Sequence, residues 1–278
     1  MPTRVALLDN TVQVDRRKSK TRSCRIEELL SQFEWKVSTS ICLLEFKATL
    51  IQECITIHDS LRSVGMYTPV HDRLTESMHR QAKLRGHIFQ NLINVFAPSS
   101  FDVTEERDRR LAEKARLRLE MVIPALYTWF TKKSVDAVLR DEIGCSRALE
   151  PPQKKRVAFG VNLPKCEKGK NKFCRVEEFI RAKAATLLER LEAILREGPQ
   201  ERLTQLRRTC ELFRSVLQEP GIDLSHNDCR RAGDFLIALE GREIATHALS
   251  TNASDWEPIC QILQREFVRV DYPAERDI

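Results

Sequence analysis

The segment 223–256, DLSHNDCRRAGDFLIALEGREIATHALSTNASDW, constrains the fold of this chain more than any other. Asp234 stands directly before the apolar run Phe235, Leu236, Ile237, Ala238 and Leu239, a pattern that predicts a buried helix with an acid at its start. Residues 247–251 then predict a short strand, which delivers Thr251, Asn252 and Asp255 to one edge of a sheet. Helix, strand and polar loop are all that the segment defines by itself. Its chemistry depends on whether another part of the chain brings carboxylates to the same edge.

The N-terminal residues carry such groups. TRVALLD at 3–9 reads as a buried parallel strand with Asp9 at its carboxyl end, the position where α/β sheets place their chemistry. A helix is expected over 25–33 and a second strand over 35–38. Thr39 or Ser40 then caps a helix that bears Leu43, Leu44, Phe46, Leu50, Ile51 and Cys54, with Glu45 in its first turns. A carboxylate on an otherwise packed helix costs desolvation unless something compensates it, although a salt bridge or an exposed face accounts for many such glutamates. Between these elements lies the basic cluster 16–22, RRKSKTR, expected as a mobile surface segment able to touch phosphate.

From about residue 65 to 221 the chain changes character. Helices are expected over 74–96, over 105–121 and on into 122–124 with a kink or break at Pro124, and over 131–143. Residues 151–174 read as a long irregular segment. A helical hairpin over 175–197 and 201–217 follows, joined across Gly198 and Pro199. Beyond the opening segment, a short helix over 258–263, a last strand over 266–270 and a loose tail complete the reading. Only nine glycines and 6% aromatic residues argue against an all-β fold. The chain is thus expected as an α/β core in two parts, 1–64 and 222–278, around a helical insertion or cap at 65–221.

Four carboxylates, Asp9, Glu45, Asp234 and Asp255, fall at strand or helix ends of that core. Converging like charges repel strongly and are tolerated when a divalent cation neutralises them. Hard oxygen ligands suit Mg²⁺ or Mn²⁺, and such an ion supports hydrolysis of phosphate esters. In VALLD with Asp9, in VSTSICLLEF with Glu45, and in GDFLIALEGREIATHALSTNASDW with Asp234 and Asp255, the chain resembles the PIN-domain nucleases. The resemblance covers about 3–60 and 223–272. It implies a three-layer α/β/α fold with a short parallel sheet and an endoribonuclease that leaves 5′-phosphate and 3′-hydroxyl ends. It also implies Asp9, Glu45, Asp234 and Asp255 as metal ligands, with Thr11, Thr251 and Asn252 assisting. Asp228 competes with Asp234 for the third acid, and His226 reads as a surface or capping residue. The insertion is far longer than in compact members. It would narrow substrate choice, bind a partner or occlude the site.

A formal charge of +6 is compatible with a polyanionic partner. RNA is the expected partner and DNA the alternative, with an inhibitory, antitoxin-like protein or self-association left open. Lys154, Lys155, Arg156, Lys165, Lys168, Lys170 and Lys172 form a basic stretch that would grip a nucleic-acid backbone, with Phe159 and Phe173 as stacking or anchoring residues. Cys166 and Cys174, with Cys145 before them, lack the tight pairing of a zinc clip and read as packed or surface thiols. Nine scattered cysteines, no secretory signal and no bilayer-spanning run point to a reducing cytoplasm. The competing readings are a catalytically inactive PIN-fold module that binds RNA or protein, and a helical protein whose two ends match by coincidence.

Overall fold

A computed structural model describes residues 3–18, 20–76, 80–93, 104–132, 137–145, 151–155, 158–160, 174–197, 203–219, 221–222 and 224–272. Its centre is a five-stranded, wholly parallel sheet built from β1 (Val5–Leu8), β2 (Trp35–Thr39), β3 (Ala137–Arg140), β6 (His247–Ser250) and β7 (Glu266–Arg269). The order across the sheet is β3-β2-β1-β6-β7. The chain steps outward from β1 to β2 to β3, then returns to the other side of β1 for β6 and β7. That reversal makes the boundary between β1 and β6 a topological switch point, where α/β sheets open a crevice at their carboxyl ends.

Register fixes what reaches the crevice. Leu8 pairs with Leu249, so Asp9 and Ser250 are the next residues on adjacent strands, and the Asp9 amide donates to the Leu249 carbonyl at 3.1 Å. Helices cover both faces, giving three α/β/α layers. Ala6 and Leu8 point into a core with Ile26 and Leu30 of α2 (Lys20–Leu30), while Val5 and Leu7 point into the larger core on the opposite face. That alternation is the two-residue period of a strand buried on both sides. The helix α12 (Gly233–Gly241) lies against Leu7 closely enough that a Cβ at Gly241 would stand 2.7 Å from a Leu7 methyl.

Several expectations need correction. The basic cluster 16–22 is not a loose segment. Its described residues belong to α1 (Asn10–Lys18) and α2, with Arg16 paired to Glu27. The span 74–96 is not one helix but α5 (Thr68–Thr75) and α6 (Arg80–His87), the latter continuing through a π-helical turn, Ile88–Ile93. Pro124 does not end its helix. α7 (Glu105–Lys132) runs through it, because Ala115, Leu119, Ile123, Leu126 and Phe130 bury one continuous stripe while Pro124 faces solvent. Residues 137–140 form a strand, not a helix, and supply one of the two edge strands of the sheet. Within 151–174, β4 (Gln153–Lys155) and β5 (Ala158–Gly160) make a small antiparallel pair.

Other elements follow the sequence closely. Thr39 caps α3 (Ser40–Phe46) by accepting from the Cys42 amide at 3.2 Å. A π-helical turn, Lys47–Ile51, joins α3 to α4 (Gln52–Val64), which ends on Gly65 in the left-handed region at φ 71°. The hairpin near the C-terminal half is α8 (Val176–Ala184), α9 (Leu188–Glu197) and α10 (Thr204–Gln218). The helix after β6 is α13 (Ala253–Leu263), which starts well before Pro258 and takes in Asp255 and Trp256. Cys42, Cys54 and Cys260 are buried free thiols, while Cys229 is partly buried. Among the described residues no helix is long and apolar enough to cross a membrane.

Candidate metal centre

Three acids meet at the switch point. Asp9, Glu45 and Asp234 each present a carboxylate oxygen, and these oxygens lie within 4.8 Å of one another. Each comes from a different element. Asp9 ends β1 and precedes α1, Glu45 sits near the end of α3, and Asp234 lies in the first turn of α12. Asp9 is buried and the other two are partly exposed, so the group opens to solvent on one side.

Asp9 is held from three directions. Its Oδ1 accepts from the Asn10 amide at 2.6 Å, and its Oδ2 accepts from Thr11 Oγ1 at 2.6 Å and from Ser250 Oγ at 2.7 Å. Burial raises its pKa, against which these donors act. Burial also pushes the Glu45 carboxyl well above the ordinary range. The charges of Asp234 and Asp9 add to that rise, and the exposed Arg230 opposes it. Buried carboxylates whose pKa values are raised in this way are poised to gain from a cation. Close by, the Cys42 thiol is pushed well up by burial and then by the Asp9 charge, so it stays protonated.

Gly233 makes the junction of α12 and α3 fit. A Cβ there would overlap Glu45 Oε1, so only a glycine lets Glu45 approach beside Asp234. The turn ahead of it is fixed by α11 (His226–Arg231), whose Ser225 and Asp228 form a reciprocal capping box. Asp228 is thereby engaged in the cap, and Asp234 occupies the place in the cluster.

The remaining polar residues lie beside the three acids. Asp255 stands outside the 4.8 Å group, accepts from Asn252 Nδ2 at 2.5 Å, and lines a shallow pocket with Asp234, Arg231, Ser254 and Gln205. Thr251 donates its amide to Thr11 Oγ1 at 3.3 Å, and Asn252 donates its amide to Ser250 Oγ at 3.0 Å. Ser250, which the sequence reading passed over, is therefore the hub between Asp9 and the 251–255 turn. Its signal was present as a hydroxyl at the last position of a buried strand neighbouring β1. Of the basic stretch, Lys154 and Lys155 lie on β4 and Phe159 lies on β5. Arg156, Lys165, Cys166, Lys168, Lys170, Lys172 and Phe173 fall outside the described residues, as does Asp223. Cys145 is buried and Cys174 is partly buried.

No family model matches the chain, and comparisons with curated proteins and with solved structures likewise give no match.

Proposed function

We propose that the protein is a divalent-cation-dependent nuclease that hydrolyses phosphodiester bonds in RNA. The observation that carries this reading is the convergence of Asp9, Glu45 and Asp234 at the switch point of a parallel sheet. The donor set fits Mg²⁺ or Mn²⁺, being all carboxylate and open on one side. The likeness of the same segments to PIN-domain nucleases and the charge of +6 support it further.

When bound, such an ion supplies Lewis-acid stabilisation of phosphate oxygens and an activated water at neutral pH. The chain's own part is to hold the ligands and orient the substrate. Thr11 and Ser250 fix Asp9 in one rotamer with its charge satisfied on both oxygens. Glu45 and Asp234 face the open side. Asp255, set by Asn252, extends the acidic rim toward the pocket that Asp234 shares. Arg230 offsets the local negative charge, which otherwise repels a phosphate strand.

The test is incubation of the full chain with labelled single- and double-stranded RNA and DNA, with Mn²⁺, with Mg²⁺ and with EDTA, beside Asp9→Asn and Asp234→Asn. RNA cutting should require the cation and vanish in both variants while their circular dichroism stays that of the parent. Full activity in either variant, or in EDTA, sinks the reading. Cutting confined to DNA would move the substrate class and keep the metal centre.

A further inference from the structure

The helix that leaves Asp9 carries a second arrangement, apart from the acids. Arg16 and Arg17 of α1 both place a guanidinium over the indole ring of Trp129 in α7, with Cζ 5.2 and 5.0 Å from the ring centroid. Trp129 is itself set against Phe46 at 6.0 Å and Phe130 at 6.3 Å, so the ring is a fixed platform. Arg16 has its partners. Its side chain is 9% exposed, it pairs with Glu27 at 2.8 Å, and it donates to Gln13 Oε1 at 3.1 Å.

Arg17 does not. Among the described residues no carboxylate pairs with it, and its Nε is buried without an acceptor. Burial and, after it, the like charge of Arg16 lower its affinity for its proton. Asn10 Oδ1 and Gln13 Nε2 are also buried without partners, and with Arg17 they follow the i, i+3, i+7 spacing of one helical stripe. A half-buried guanidinium beside a second one, short of hydrogen bonds, costs stability unless an anion completes it. Local rules broken in this way are expected at functional positions. The planar fork of a guanidinium matches two phosphate oxygens at once.

We propose that Arg17, positioned by Arg16 and by the Trp129 ring, is a phosphodiester-binding subsite that holds a single nucleic-acid strand along α1 beside the acidic cluster. Arg17 lies eight residues beyond Asp9, which is about 12 Å along a helix axis. Arg17 is half-buried with its Nε covered, a seat that suits a flexible strand better than a stiff duplex. Only the direction of the strand, toward the acids, rests on the nuclease reading.

Binding is measured without cation, on the full chain in EDTA, by fluorescence anisotropy with a labelled single-stranded oligonucleotide. A duplex and inorganic polyphosphate serve as competitors. Arg17→Ala should weaken strand binding about tenfold and flatten the dependence of log K on log salt by about 0.7. Its Tm should equal or exceed the parent's, because the variant sheds an unsatisfied charge. Arg17→Lys should keep the salt slope and recover only part of the affinity, having the charge without the fork. Unchanged affinity in Arg17→Ala, a Tm loss that accompanies the defect, or equal competition by polyphosphate and strand would each overturn the subsite. If the parent and Arg17→Ala bind and cut alike, the subsite falls and the nuclease stands. Should the parent bind in an Arg17-dependent way yet never cut, the subsite stands and the nuclease falls.

Discussion

At the scale of single residues, what holds the three acids together is space and hydroxyl groups as much as charge. Glu45 reaches Asp234 only because position 233 has no side chain, and Asp9 keeps its orientation through Thr11, Ser250 and the Asn10 amide. Gly233→Ala separates the two influences. Alanine is the better helix former by roughly 0.5–1 kcal/mol, so α12 itself loses nothing by the change. The overlapping atom is the far end of a glutamate, which swings aside at little cost to the fold. The carboxylate is then displaced from the cluster. Mn²⁺ affinity, followed by isothermal titration, should fall about 10–100-fold, the usual cost of disturbing the support of a metal ligand, while Tm without cation holds or rises. Undiminished affinity would show that Glu45 is not a ligand.

Elements rather than residues decide how much of this was legible beforehand. β1 and β6 could be read because a strand buried on both faces of a parallel sheet is a short apolar run that ends at a polar residue. β3 could not, since Val138 is 52% exposed and its partner among the described residues is β2, about a hundred residues earlier. α13 was read as starting late because its first turn, Ala253 to Trp256, has the polar composition of a loop. Asp9, Glu45 and Asp234 each lay at a readable boundary, whereas Ser250 and Gly233 matter only through contacts between distant segments. Glu240 is of that kind. It is buried in α12, and its Oε1 accepts from the Glu142 and Ile143 amides at 2.8 and 3.3 Å, tying the turn after β3 to the core. Burial pushes its pKa up to about 7, with those amide donors opposing the rise. Because the folded value lies above the ordinary 4.5, the folded protein holds more protons between those limits, and stability falls as pH rises through that window. The loss is on the order of 3 kcal/mol by pH 8. Glu240→Gln keeps an acceptor for the two amides and removes the titration. Urea unfolding should therefore find the variant more stable than the parent at pH 8 and no more stable at pH 4.

For the whole molecule, an ion held by the acidic cluster would make stability depend on pH and cation together. Without an ion, Asp9 and Glu45 have pKa values raised mainly by burial, from ordinary values of 3.8 and 4.5. Above those ordinary values the unfolded chain releases protons that the folded one retains, so raising the pH lowers the stability of the cation-free protein. An ion that binds the ionised cluster reverses this, since it favours the deprotonated form and only the folded state assembles the site. At a concentration of 100 times its Kd, one such ion adds about 2.7 kcal/mol, or roughly 5–10 °C in Tm for a chain of about this size. The melting curves with EDTA and with Mn²⁺ should therefore coincide near pH 4 and separate steadily toward pH 8. Glu240 lowers both curves equally, so the gap between them reports the cluster alone. The double variant Asp9→Asn, Glu45→Gln should close the gap at every pH and raise the EDTA curve at pH 8, because it removes the buried charges along with the ligands. A gap that persists in the double variant would place the cation elsewhere on the molecule. Curves that coincide at every pH in the parent would leave the three acids without an ion to hold.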